Sequence, residues 1–529
     1  MKRNRITFAA ALTALAVLGG CSKSGPSGSA PAQINMDNFN PVGQLPIVKE
    51  KESFTILADD SHSPDKVMFE VFEKETNIHV NLMIYPIAVA AERKNILFAS
   101  GDYPDVIGGW IVGGGDVMKL SADEVIVPLE EIIEKYCPNI LEALNLPGVR
   151  ADMTLPDGHI YSPPYPIEEP LVTFNPWINT KWLNQLGLPM PATTDEFKQT
   201  LIAFRDRIPN AAGQKIIPLS WNPNQMHLGV MAGYWGLNAH DTFVMLNGQL
   251  EVAINKPEYK AFLKWFTDLY AENLVDKEIF TQDYTTFVAK GKLGLYGAAY
   301  SYWPDDFAPK VSGDVTKNQW DFEALPVLSA PGAAKPPVYW RSTWGVTNFR
   351  NQMIITDKAK NPITIMRWLD HVYAVENSLQ CLYGPIGIRF EKLADGQYQE
   401  IDTSNWSDEE KDKYSGNNNY VWSLPKFMRK EIKALPPPGR ERNYESKIVS
   451  DALYEPYLEP QKLPNLWIAG EDNEKIAEIS QTIGRYVTQK IAEWISGQAD
   501  IDAEWDRYTA ELDRLGIQEW LQIHRKYMK

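Results

Sequence analysis

The stretch "SFTILADDSHSPDKVMFEVFEKETNIHVNLMI" (53–84) decides the fold class. Its first six residues alternate into an apolar strand that runs out into a polar loop, Asp59 to Pro64. Val67, Phe69, Val71 and Phe72 then recur at helical spacing in a charged segment. After a turn at Thr76-Asn77, Ile78 to Ile84 reads as a second strand. Strand, helix and strand in that order predict a parallel sheet covered by helices, an α/β fold.

Downstream, a helix from Ala88 to Ala99 stops at Ser100-Gly101, and the turn Tyr103-Pro104-Asp105 leads into an apolar strand at Val106 to Val112. Leu129 to Leu146 is helical. Asp157-Gly158 forms a tight turn before His159 to Ser162, and Leu171 to Phe174 is a short strand. Thr193 and Glu196 stand three residues apart, as a capping box requires. Phe262, Trp265, Phe266 and Leu269 mark an amphipathic helix. Leu293 to Gly297 reads as a strand and Tyr339 to Thr347 as a strand pair, and the C-terminal third is largely helical. No internal repeat is visible.

Upstream, Lys2, Arg3 and Arg5 precede an apolar run from Thr7 to Leu18, the pattern of a secretory signal and too short for a membrane span. The exit Leu18-Gly19-Gly20-Cys21 resembles the lipobox of bacterial lipoproteins, which implies a lipid-modified Cys21 as the first residue of the mature chain. Residues 1–20 are then the signal. Residues 21–52, rich in Ser, Gly, Pro, Ala and Asn, are expected to form a flexible tether. A chain so anchored sits on the outer face of the cell membrane.

The body from residue 53 onward belongs to a chain with 44% hydrophobic and 11% aromatic residues, enough for more than one core. A net charge of −16 argues against nucleic acid as a partner. Cys137 and Cys381 sit in no CxxC or zinc-like spacing and are expected to be free, buried thiols.

Catalytic signatures are missing. The seven histidines show no i, i+4 pair, and neither a Gly-x-Ser-x-Gly elbow nor a Walker loop occurs. Gly113-Gly114-Gly115 is a lone triplet, read as a loop. Glu168-Glu169 is the one conspicuous carboxylate pair, and adjacent strand residues point to opposite faces, which suits glycoside cleavage poorly. Tryptophan stands out instead. Among the 17, Trp110, Trp221, Trp235, Trp303, Trp340 and Trp344 lie near strand ends or in loop-like stretches. Aromatic faces pack on the apolar faces of sugar rings, so at least two of these are expected to reach a ligand.

The segments "ASGDYPDVI" (99–107), "LPDGHIYSPP" (155–164), "WINTKWLNQLGLPMPATTDEF" (177–197), "KGKLGLYGAAYSYW" (290–303) and the C-terminal run 491–529 resemble the extracellular solute-binding proteins of family 1. These are the maltose-binding-protein-like receptors of ABC importers, and the match is closest to their large oligosaccharide-binding lipoproteins. The resemblance implies a two-lobed periplasmic-binding-protein-like fold. Each lobe would be a mainly parallel sheet flanked by helices, and hinge strands would join the two. Carried over, the crossings fall near Tyr165 to Thr173, Gly297 to Ser301 and Tyr383 to Gly387. Lobe one is then 53–168 plus 302–384, and lobe two 169–301 plus 385–529.

By the same resemblance Trp303 stacks on the ligand. Tyr302 stands beside it, and Trp110, Tyr161, Trp221, Trp235, Trp340 and Arg341 are candidate wall residues. Asp59, Asp60 and His62 lie in the first strand-to-helix loop, where ligands of such sheets are met. Many large relatives carry a calcium loop. Here the stretch from Asp206 to Pro218 has too few carboxylates, so no metal and no cofactor are expected. The implied function is a monomeric, lipid-anchored receptor that delivers an oligosaccharide to ABC permease subunits without chemistry of its own. A lipoprotein glycoside hydrolase and a receptor for a non-sugar solute are the alternatives.

Overall fold

The computed structural model describes residues 34–528 apart from 60–65, 167–171, 173, 212, 222–227, 310–319, 342–351, 404, 415–423, 430–433, 436–440, 460–462 and 464. The signal, Cys21, Asp60, His62, Glu168, Glu169 and Trp344 lie outside the described residues. In chain order the strands are β1 (Glu52–Asp59), β2 (Ile78–Tyr85), β3 (Val106–Gly108), β4 (Asn175–Asn179), β5 (Ile217–Trp221), β6 (Phe243–Leu246), β7 (Gln249–Val252), β8 (Tyr296–Ser301), β9 (Phe322–Ala324) and β10 (Met353–Ile355).

Two four-stranded sheets organise the chain. The first has the order β10-β3-β1-β2. β1 pairs in parallel with β2, Phe54 opposite Val80, and with β3, Ile56 opposite Val106. β10 closes the edge antiparallel to β3. The helix Lys66–Thr76 joins β1 to β2, as its apolar spacing predicts, and buries Met68 and Phe72 against Trp368 and Ile56. The second sheet has the order β5-β8-β4-β9. Only β5 and β8 are parallel in it, and β4 is antiparallel to both β8 and β9, so this sheet is mixed rather than mainly parallel. The architecture is a two-lobed α/β fold, with one large core around each sheet.

Several expected boundaries move. The tether expected over 21–52 is folded in its second half. Phe39 bridges Val48, the Ile47 N–H donates to the Thr76 carbonyl at 3.0 Å, and Phe39, Ile47 and Val48 join the lobe-one core. Arg367 clasps this strap by donating to the carbonyls of Asn40 and Pro41 at 2.7 and 3.1 Å. Three buried apolar side chains and a satisfied Asn38 amide outweigh the polar composition of the segment.

The second crossing is not at Gly297 to Ser301. Past β8 the chain stays in lobe two: Phe307, Trp320 and Phe322 are buried against Trp177 and Tyr296, and β9 pairs with β4. Tyr339 and Trp340 still belong to the lobe-two core, and the chain is back in the first sheet at Met353. Nor does the chain leave lobe one at Tyr383 to Gly387. Gly384, at φ 96°, turns it into a small sheet of β11 (Phe390–Lys392), β12 (Tyr398–Glu400) and β13 (Ala434–Leu435), which packs on Leu379. Leu424 and Phe427 then return to the lobe-one core before the helix Glu441–Tyr454 reaches lobe two, where Tyr454 donates to the Leu325 carbonyl. The first crossing begins at Tyr165, fully buried in lobe one, and Val172 is already in the lobe-two core.

Candidate functional site

Open parallel sheets meet their ligands at the C-terminal edge of the strands. In lobe one β1 ends on Asp59, which is buried, and β3 runs into a single 3-10 turn, Gly109–Ile111, that carries Trp110. The Gly109 N–H donates to the Gln352 carbonyl at 2.9 Å and ties this turn to the start of β10. In lobe two β5 ends on Trp221 and β8 on Ser301, with Trp221 opposite Tyr300. β4 runs the other way, so its first residue, Asn175, lies opposite Ser301. The first crossing therefore enters lobe two at the edge where β5 and β8 end.

Immediately beyond that edge stand Tyr302 and Trp303. Ser301 donates its hydroxyl to Asp306 Oδ2 at 2.6 Å, and the Trp303 N–H donates to the same oxygen at 3.2 Å. Pro304 opens the short helix Pro304–Phe307, for which Trp303 is the N-cap residue. The two rings meet edge to face at 5.0 Å, and both side chains are half-buried. One carboxylate thus fixes the backbone of a partly exposed aromatic pair on rigid elements.

Residues 57–377 match the family described as bacterial extracellular solute-binding protein. The chain belongs to that family. This solute-binding protein is 30% identical, over 97% of its length and 95% of the relative's, to the fructooligosaccharide ABC transporter substrate-binding protein FusA of Streptococcus pneumoniae. A structure of S. pneumoniae FusA in complex with kestose matches it with a TM-score of 0.74 at 28% identity, covering 90% of this chain and 98% of that one. A human-milk-oligosaccharide (HMO) binding protein from Bifidobacterium longum infantis matches with a TM-score of 0.75 at 21% identity, covering 90% of this chain and 98% of that one, and speaks for the fold alone.

Within the solute-binding protein the other candidate aromatics divide. Trp221 is 2% exposed and packs on Phe266 at 5.6 Å and on Tyr300 at 6.4 Å, so its ring lies in the lobe-two core. Trp235 covers that core against Trp265 and Phe262. Trp340 is also buried, and its ring lies 4.0 Å from the His240 ring at an interplanar angle of 8°. Arg341 follows it, half-buried. Tyr161 is buried in lobe one and donates to Asp157 Oδ2 at 3.0 Å. Burial, then that hydrogen bond, pushes its hydroxyl up to about 12. Among the candidate aromatics whose side chains are described, Tyr302 and Trp303 form the half-exposed pair at the strand edge.

Polar groups that the sequence reading passed over lie close to the crossings. Lys426 is buried beneath Tyr165, 4.6 Å from its ring, and donates to the Leu424 carbonyl at 3.1 Å. Burial lowers its ammonium to about 7. In lobe two, Glu459 accepts from the Asn238 amide at 2.6 Å and lines a cavity of about 300 Å³ with Val244, Met245 and Val338. Burial raises the Glu459 carboxyl to about 7, and Asp241 adds to the shift. No sequence motif announces either group, because each depends on segments far apart in the chain. In the segment from Asp206 to Pro218, Asp206 is engaged by Arg205 Nε and Nη2 at 2.7 and 2.9 Å. No cluster of three or more His, Cys, Asp or Glu side chains placed to hold a metal ion occurs among the described residues.

Proposed function

We propose that this chain is a lipid-anchored receptor that captures an oligosaccharide between its lobes outside the cell membrane and hands it to an ABC importer. The observation that carries the reading is the Tyr302 and Trp303 pair, held half-exposed by Asp306 at the edge where the first crossing enters lobe two. A sugar ring stacks on such a face, while nearby polar groups bind its hydroxyls. Closure follows from differential contact: only the closed arrangement touches the sugar from both lobes, so the sugar populates it.

The chain likeness to FusA makes a fructooligosaccharide the first ligand to try. Trp303 is the stacking residue in this reading. Tyr302, Trp110, Arg341, Asp60 and His62 are further candidates for the wall, and Tyr161, Trp221, Trp235 and Trp340, which pack in or on the cores, support it from behind. Cys21 carries the lipid, on the pattern Leu18-Gly19-Gly20-Cys21. The receptor acts as a monomer, and the permease subunits supply the membrane path and the ATP hydrolysis.

The test is intrinsic tryptophan fluorescence of the chain from Ser22 onward, titrated with kestose, nystose and a panel of unrelated oligosaccharides, with reducing-sugar release followed in parallel. Saturable change with kestose or nystose and no product is the expected result. Product release makes the chain a hydrolase, and silence across all sugars points to a non-sugar solute.

A further inference from the structure

The Gly113-Gly114-Gly115 triplet has a structural partner at the other end of the sequence. Trp467 is 8% exposed and sits in a lobe-one cluster with Leu57, Ile111, Val112, Leu155 and Tyr161. Its indole Nε1–H donates to the Asp152 carbonyl at 2.9 Å. A Cβ on Gly114 would stand 3.7 Å from the Trp467 ring, and one on Gly115 would stand 2.6 Å from the Asn473 amide nitrogen. Gly115 leaves room for Asn473 of the helix behind Trp467, and Gly114 lies in ordinary contact with the indole at the start of the helix Gly114–Ala122.

The element that delivers Trp467 is fixed to lobe two. The helix Gly470–Ile495 has 26 residues, a rod of about 39 Å at 1.5 Å per residue. Its first two turns are held by Asp472, which accepts from Lys526 Nζ at 2.6 Å and from the Tyr527 hydroxyl at 2.9 Å, and by the Lys475 and Glu519 ion pair. Farther along, Ile479, Ile483 and Trp494 are buried in the lobe-two core. Lobe two therefore projects a tryptophan into a pocket of lobe one. That pocket follows directly on the C-terminal end of β3 and the Trp110 turn, on the cleft edge of the first sheet.

We propose that Trp467 is an affinity-determining latch: seated on Gly114 it holds the two lobes together at the cleft edge, and opening the cleft withdraws it. The inference rests on the reading of ligand capture by lobe closure. The rod is anchored along lobe two and meets lobe one at its start, through Trp467 and Asn473, so in this proposal separation of the edges breaks the indole seat and the Asp152 hydrogen bond. Burial of one tryptophan then contributes to the closed state independently of sugar, and sets how much of the sugar's binding free energy is spent on closure.

The test uses the chain from Ser22 onward with spin labels on Lys135→Cys in lobe one and Arg507→Cys in lobe two, both exposed. The native Cys137 and Cys381 are buried. Trp467→Ala removes the latch, and Gly114→Leu fills its seat without touching lobe two. Without sugar, both variants are expected to shift the interlobe distance distribution toward longer distances. Where a sugar binds, both are expected to raise its Kd on the order of tenfold, with the double variant no weaker than either single one. Unchanged distance distributions in both folded variants overturn the latch. So does a Kd that rises only in Trp467→Ala without a distance change, which would make Trp467 a sugar contact. If the wild type binds none of the sugars, the proposed function fails while the distance measurement still decides the latch.

Discussion

Asp306 Oδ2 stands 3.2 Å from the backbone nitrogen of Trp303 and accepts its hydrogen bond. The same oxygen holds Ser301, the last residue of β8, so the turn that presents the Tyr302 and Trp303 rings is fixed at both ends. Asp306→Ala is expected to cost about 1 kcal/mol of positioning, a rise of about fivefold in sugar Kd. Trp303→Ala removes the stacking face and is expected to weaken binding by about 2 kcal/mol, roughly thirtyfold. Calorimetric titration with kestose orders the two variants. Equal Kd values for wild type and Trp303→Ala would remove this pair from the site.

The N-terminal strap carries a stability prediction. Phe39 is 9% exposed, its ring lies under the Arg367 guanidinium at 5.3 Å, and it packs in the lobe-one core. Phe39→Ala is expected to cost about 3 kcal/mol, a fall of roughly 6–12 °C in lobe-one unfolding at 2–4 °C per kcal/mol. Scanning calorimetry checks it: the lobe-one transition moves and the lobe-two transition stays. A single unmoved transition would mean that the strap is only draped on the surface.

Part of this organisation was legible from local pattern. β1, the helix Lys66–Thr76 and β2 follow from period-2 and 3.6-period spacing within 34 residues, from Glu52 to Tyr85. Trp303 entered the candidate site through the family resemblance of the run 290–303, and it stands two residues past the end of β8. The mixed pairing of the second sheet was not, because β9 is three residues long and its partner β4 lies more than a hundred residues away. Ile47 and Val48, two apolar residues among Pro, Gly and Asn, gave no periodic signal for the strap. The turn residues Gly384, Pro385 and Gly387 signal a change of direction, and only tertiary packing decides that it leads to β11 instead of across to lobe two. Likewise Trp221 ends β5 and Trp303 stands two residues past the end of β8 in the same sheet, and it is the neighbours Phe266 and Tyr300 that bury the first.

The two thiols give a direct chemical prediction. Cys137 and Cys381 are free and buried, 1% and 0% exposed. Burial pushes the Cys381 thiol up to about 12 and raises Cys137 strongly as well. The thiolate is the reactive form, so both are expected to be inert toward an aromatic disulfide reagent at pH 8 and to release two equivalents in guanidinium chloride. Fast labelling of the native chain would show that one of these pockets opens.

Glu459 makes stability depend on pH with a defined sign. Burial raises its carboxyl from 4.5 to about 7, while Asn238 at 2.6 Å opposes the shift by favouring the carboxylate. A folded-state value above the unfolded one means that the folded chain holds this proton more tightly. The contribution is therefore fully present below about 4.5 and is lost as the pH rises through about 7. Glu459→Gln keeps an acceptor for the Asn238 amide and removes the ionisation. The variant is expected to gain on the wild type by about 1–2 kcal/mol above pH 7, once solvent screening of a half-buried group is allowed for, and to match it near pH 4.5. Urea unfolding at the two pH values measures the difference. A constant offset between variant and wild type would assign the effect to packing rather than to the proton, and a wild type that gains stability from pH 5 to 8 relative to the variant would reverse the sign.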